Sequence, residues 1–168
     1  MLSLTRIGIY LQGDEFSGNM MQKIMIATDG SDMSKKAVKV GVDIAHRSRG
    51  CVAAVYVIDI SRLSHLPGYA MLPGLKEKIS ELMKEEGRQA TQFAEDLASI
   101  LNIPCRKIVL QGNPSQEILK SAREMEADLI VIGSRGRTGI EKLLLGSVAE
   151  KVVLQSPIPV LMIKGDGE

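Results

Sequence analysis

A chain of 168 residues with 45% apolar and 24% charged residues has the size and mix of one ordinary folded domain, which excludes a disordered tail, a coiled coil or a collagen-like rod. Its 21 Lys and Arg nearly cancel its 20 Asp and Glu, so the basic excess that a duplex-DNA binder needs is missing. Aromatic residues make up 3% and Trp is absent, which leaves no base-stacking platform, and nucleic acid is not an expected partner.

The first 20 residues, MLSLTRIGIYLQGDEFSGNM, do not read as a signal peptide. Arg6 interrupts the apolar stretch, and Asp14 and Glu15 stand where a small-residue cleavage site belongs. Met20 and Met21 directly precede a strong strand. Residues 1–20 therefore read as an N-terminal extension, a start-site artefact or disordered tail, with a short strand at Ile7–Leu11 as the alternative. Residues 21–168 read as a single domain. No apolar run approaches the ~18 residues that cross a bilayer, so no membrane partner is expected.

From Lys23 the chain alternates strand and helix. Lys23–Thr28 is an apolar run ending at Asp29-Gly30-Ser31, a strand and its turn. Ser31 caps a helix with Met33, Ala37, Val40, Gly41, Ile44 and Ala45 on one stripe, and Gly50 ends it. Val52–Ile58 is the second strand, closed by Asp59. Ser61–Gly74 holds two Pro-Gly steps and no period, so it reads as a long loop. A long helix spans Leu75–Leu101, with Gly87 a weak point inside it. The third strand is Lys107–Leu110. Asn113 followed by Pro114 starts the next helix, as cap and first-turn residue. Ala127–Ile132 is the fourth strand, Ser147–Gln155 the last helix and Val160–Ile163 the last strand. Continuous apolar strands joined by helices imply an α/β fold whose parallel sheet is covered on both faces, a three-layer sandwich. Ligands of such sheets bind at the carboxyl ends of the strands, where strand order reverses.

Cys51 and Cys105 lie far apart in or beside apolar runs, with no Cys-x-x-Cys, and read as reduced thiols of a cytoplasmic protein. His46 and His65 are the only histidines and neither has a second ligand at metal spacing, which argues against a His-based metal site or a Ser-His-Asp hydrolase.

The chemistry concentrates in Ile132–Ser147, IGSRGRTGIEKLLLGS. Gly133, Gly136 and Gly146 form G-x2-G-x9-G-S after the fourth strand. Glycines let a backbone come close to phosphate oxygens, and the helix opened by Gly146-Ser147 adds N–H donors and a positive dipole end. Arg135, Arg137 and Lys142 make the segment cationic. Tight turns with solvated basic residues are the alternative. A Walker A loop is absent, and so is a G-x-G-x-x-G at the first strand–helix turn.

With KIMIATDGS (Lys23–Ser31), VYVID (Val55–Asp59), ADLIVIGSRGRTGIEKLLLGSVAEKVV (Ala127–Val153) and SPIPVLMIK (Ser156–Lys164), the chain resembles the universal stress protein family, in its ATP-binding branch, over about Lys23–Lys164. The resemblance implies a five-stranded parallel sheet of order 3-2-1-4-5, counted from Lys23–Thr28, of the adenine-nucleotide alpha-hydrolase-like kind. It implies an ATP cofactor, with Mg²⁺ as its companion. By position, Asp29 would hold the ribose, and Ala27 and Thr28 would border the adenine, which Val57 would receive through its backbone. Gly133, Gly136, Gly146 and Ser147 would hold phosphates, with an N–H from Val148, and Ile132 and Arg135 would line the wall and the phosphate edge. Ala27 stands where that branch often has Pro.

Val160–Ile163 is apolar on both faces, and Pro159 argues for a sheet edge. A homodimer through that C-terminal edge strand is expected, a mode the resemblance also implies. The loop Ser61–Gly74 carries Leu66, Tyr69, Met71 and Leu72 at the carboxyl side of the sheet and reads as a lid or partner contact, or as a passive loop. Asp29 and Asp59 both end strands, but no acid, base and nucleophile set accompanies them. The leading expectation is a stress-response sensor that binds ATP and an unidentified protein partner, with no catalytic residues assigned. A slow ATPase or phosphotransferase and a nucleotide-free interaction module are the alternatives. Gly136→Val or Gly146→Val is expected to lose binding without unfolding.

Overall fold

Side chains of a strand alternate between faces, and a strand buried on both faces reads as an unbroken apolar run. The computed structural model describes residues 8–10, 21–59, 74–136 and 145–165. In it, β2 (Lys23–Ala27) sends Ile24 and Ile26 to one layer and Met25 and Ala27 to the other. β5 (Leu129–Gly133) and β6 (Val160–Ile163) divide in the same way, Val131, Leu161 and Ile163 opposite Ile130, Val160 and Met162. β3 (Cys51–Asp59) and β4 (Cys105–Gly112) complete the parallel set.

Among the described residues four helices cover this sheet. α1 (Asp32–Ser48) and α2 (Leu75–Ile100) pack on one face through Val38, Val42, Ala94 and Ala98. α3 (Pro114–Glu124) and α4 (Ser147–Gln155) pack on the other through Ile118, Leu119, Ala149 and Val152. The expected caps form: Ser31 Oγ accepts from Ser34 N at 3.2 Å, and Asn113 Oδ1 accepts from Gln116 N at 3.3 Å. Gly87 turns out to seat α2 on the sheet. A Cβ there would come within 2.9 Å of the Tyr56 and Val109 side chains.

The sheet order is β1-β6-β5-β2-β3-β4. Its five parallel strands follow the order 3-2-1-4-5 expected for the domain. Two features depart from expectation. β4 is longer than Lys107–Leu110, because an edge strand tolerates exposed charges such as Arg106 and Lys107 that hide it from a search for apolar runs. Lys107 is tied to Glu95 at 2.6 Å and to Gln92 at 2.7 Å. The second departure corrects the bare edge expected for β6. β1 (Gly8–Tyr10), inside the N-terminal extension, lies antiparallel along it, with Gly8 opposite Met162, Ile9 opposite Leu161 and Tyr10 opposite Val160. The extension thus contributes a strand within the Ile7–Leu11 segment. Residues 1–7 and 11–20 lie outside the described residues.

Cys51 and Cys105 are free thiols, each half-buried. Burial pushes the Cys105 thiol up to about 11. At pH 8 only about one Cys105 in a thousand is then thiolate, against about one in four for a free peptide cysteine. Alkylation of Cys105 by iodoacetamide at pH 8, followed by peptide mass spectrometry, should run at least about tenfold slower than in an unstructured peptide, the greater nucleophilicity of a high-pKa thiolate offsetting part of its scarcity, and accelerate as pH rises toward 11. Equal rates would contradict this burial.

Candidate functional site

The chain leaves β2 toward α1 on one face and leaves β5 toward α4 on the other, although β2 and β5 are neighbours. This is the switch point where an open parallel sheet parts its carboxyl ends into a crevice. On the β2 side, Thr28 N donates to Val55 O at 2.9 Å and continues the strand direction. Asp29 then turns the chain. Its Oδ1 accepts from Ser31 N at 3.1 Å and from Ser31 Oγ at 2.6 Å. Gly30 sits at φ +78°, a left-handed conformation that costs glycine little. Thr28 Oγ1 donates to Ser34 Oγ at 3.1 Å, which donates on to Ser31 O at 2.9 Å. Asp29 therefore does two things at once, closing an Asx-type turn and presenting a carboxylate to the crevice.

On the β5 side, Ser134 N donates to Ile163 O at 2.8 Å and Ser134 O accepts from Gly146 N at 2.7 Å, which joins the start of α4 to the end of β5. Gly146 is the N-cap of α4 and no side chain caps that helix. Its first N–H groups are the orphan donors that make a helix start a place for anions. The three glycines have different reasons. A Cβ at Gly136 would lie 2.7 Å from Asp29 Oδ2, so Gly136 comes close to the first-strand carboxylate with no room for a side chain between them. A Cβ at Gly146 would lie 3.3 Å from Ser134 O. A Cβ at Gly133 would lie 2.8 Å from Met33 Cγ on α1, so helix packing by itself demands glycine there.

Between these halves lies a crevice of about 200 Å³. Ala27, Thr28, Asp29, Val57, Ile132, Gly133, Arg135, Gly136, Gly146, Ser147 and Val148, all named from sequence, line it together. Also on its wall are Ser34, Val55, Tyr56, Asp59, Met83, Pro114, Ile118 and Ala149. Asp59 and Pro114 stand at the carboxyl ends of β3 and β4, where the switch-point rule points. Met83 carries no local signal; it arrives because α2 lies over the end of β3. Arg137 and Lys142 lie outside the described residues, as does the Ser61–Gly74 loop except for Gly74, which precedes α2. Among the described residues no group of three or more His, Cys, Asp or Glu is placed to hold a metal ion, and no helix is long and apolar enough to cross a membrane.

Residues 20–164 match the model of the universal stress protein family. The chain belongs to that family. It is 42% identical over 146 residues to the universal stress protein MJ0531 of Methanocaldococcus jannaschii, covering 87% of this chain and 84% of the relative. Its fold superposes on the solved structure of MJ0577 from the same organism with a TM-score of 0.72 at 27% identity, covering 89% of this chain and 100% of that one. A universal stress protein crystallised in complex with cAMP matches with a TM-score of 0.61 at 26% identity, covering 87% of this chain and 98% of the other.

Proposed function

We propose that the crevice binds ATP and that this universal stress protein acts as a nucleotide-dependent sensor that engages a protein partner in the stress response. The observation that carries the reading is the close approach of Gly136 to the Asp29 carboxylate at the switch point, so near that an added Cβ would lie 2.7 Å from Oδ2, beside a helix start with no side-chain cap. It sets an acceptor for sugar hydroxyls next to a backbone cradle for anions. In this reading Asp29 holds the ribose, while Ala27, Thr28, Val57 and Ile132 flank the adenine. Gly133, Gly136, Gly146, Ser147 and Val148 take the phosphates, with Arg135 at their edge. The cAMP complex of a relative supports an adenine nucleotide, since cAMP and ATP share base and ribose. The volume of about 200 Å³ is below the ~300–1,000 Å³ of pockets that enclose a whole ligand. Base and ribose would fill the crevice, while Gly133, Gly136, Gly146 and Ser147 would hold the phosphates, whose charge a Mg²⁺ ion would help to neutralise.

A ligand held by Asp29 on one side and by the α4 start on the other joins the two halves of the sheet at its parting. Binding then stabilises that end of the molecule and creates a surface that depends on nucleotide. In this reading the protein works in the cytoplasm as a homodimer through β6, the partner strand taking the edge along which β1 lies here. Mass spectrometry of nucleotide released by mild denaturation of the purified protein tests the reading. ATP supports it. ADP accompanied by turnover would replace it with a slow ATPase or phosphotransferase, and no nucleotide at all with an interaction module.

A further inference from the structure

Asp29-Gly30-Ser31 reads as a turn followed by a cap, and the cap residue has a second task. Its hydroxyl has one hydrogen to give and lone pairs to offer. The start of α1 takes a lone pair, since Ser34 N donates to Ser31 Oγ at 3.2 Å. The hydrogen goes to Asp29 Oδ1 at 2.6 Å, within the ~2.5–2.7 Å of a charge-assisted O–H···O⁻ bond. Ser31 N donates to the same oxygen at 3.1 Å. Oδ1 thus carries both donors of one residue, which fills its acceptor sites and fixes the plane of the carboxyl group. The support behind Ser31 is closed as well. Thr28 Oγ1 accepts from Gly30 N at 3.3 Å and donates to Ser34 Oγ, which donates to Ser31 O at 2.9 Å. Thr28 and Ser34 are both buried, which strengthens these bonds.

The other oxygen is turned to the crevice. Gly136, on the opposite wall, stands so near that an added Cβ would lie 2.7 Å from Oδ2 and 3.7 Å from Cγ. A carboxylate that offers both oxygens reads a vicinal diol in full, one oxygen to each hydroxyl. Here a ribose meets Oδ2 alone. One hydroxyl forms a straight bond to it, and its neighbour reaches the same atom only at a bent angle, where hydrogen bonds weaken steeply. We infer that Ser31 is a positioning residue that makes Asp29 present one oxygen, so that the site reads one ribose hydroxyl and is indifferent to loss of the other. The inference rests on the nucleotide reading above and gives that site its sugar selectivity. Capping α1 uses only the lone pair of Ser31 Oγ, so the cap and the hold on Asp29 can be separated by experiment.

Calorimetric titration of the full chain with ATP, 2′-deoxy-ATP and 3′-deoxy-ATP tests it. For the wild type, one deoxy analogue should bind within about twofold of ATP and the other at least about tenfold more weakly, the loss of one hydrogen bond to a charged group. In Ser31→Ala, Oδ1 loses its strongest partner and the carboxylate is released to face the diol with both oxygens. The two analogues should then converge to within about threefold of each other. Loss of the cap by itself would weaken all three nucleotides by one factor and leave their ratios unchanged. Ser31→Thr keeps the hydroxyl and should keep the wild-type ratios. ATP binding with both analogues weakened equally in the wild type, or with wild-type ratios in Ser31→Ala, would overturn the inference and leave the nucleotide reading standing. No binding of ATP at all would overturn that reading, and the inference with it.

Discussion

Gly136→Val is expected to raise the Kd for ATP by about a hundredfold or more, with the urea midpoint of unfolding essentially unchanged. Among the described residues the Cβ at this position would meet only the Asp29 carboxylate, at 2.7 Å from Oδ2. No backbone atom of the described residues lies within 4 Å of it, so the described fold accommodates it. Asp29, however, must turn aside, and the valine methyls then occupy the ground over which phosphate would approach. A hydrogen bond to a charged group contributes ~1.5–3 kcal/mol, a factor of ten to a hundred in affinity, before the steric loss is added. Gly136→Ala should cost about tenfold, because a carboxylate at the end of a rotatable side chain can yield to a single methyl. Gly146→Val does not serve the same purpose. Its Cβ would press on Ser134 O at 3.3 Å and on Arg135 Cα at 3.5 Å, disturbing the segment itself. The expectation that both valine variants lose binding with the fold intact thus narrows to Gly136. Calorimetric ATP titration alongside urea unfolding checks it; an unchanged Kd would remove Gly136 and Asp29 from the site.

Gly50→Ala is expected to give the largest loss of stability of any single methyl addition considered, about 3 kcal/mol or more. Its Cβ would collide with the carbonyl oxygen of Gln22. That carbonyl accepts from Cys51 N at 2.6 Å, and the Gln22 and Lys23 amides are held by Asp128 Oδ2 at 2.9 and 2.8 Å. Gly50 is pinned in turn, its N–H donating to Ala45 O at 2.8 Å as α1 closes through Arg49 at φ 53°. Neither backbone can retreat without breaking hydrogen bonds at the amino ends of β2 and β3. Gly41→Ala should cost less, since the nearest atoms it meets are side-chain ones, Ile26 Cδ1 and Cγ1 at 2.6 and 2.7 Å and Val131 Cγ2 at 3.5 Å, and not backbone. The check is urea unfolding of both variants, and an unchanged midpoint for Gly50→Ala would show that the backbone yields.

What was legible in the chain follows from how local each cause is. Ser31, Asn113 and Pro114 act within one helical turn, and each caps where its type predicts. The buried parallel strands announce themselves because both faces are apolar. Asp29 and the glycine segment were visible as a pattern, and their meeting across the crevice gives the pattern a geometry. Met83 and Ile118 were not visible, because they reach the crevice only through the packing of α2 and α3. Gly133 was read for phosphate alone, while its tightest constraint is Met33 on α1. β1 could be read only as the alternative to a disordered tail, because so short a stretch with a glycine shows no period and its stability comes from a strand more than 140 residues away.

Isothermal titration of the purified protein with ATP, after any bound nucleotide has been removed, tests the central claim most directly. Saturable binding with one ATP per chain, abolished or weakened at least tenfold by Asp29→Asn, is the predicted result. No saturable heat up to millimolar ATP, or full affinity in Asp29→Asn, would contradict it.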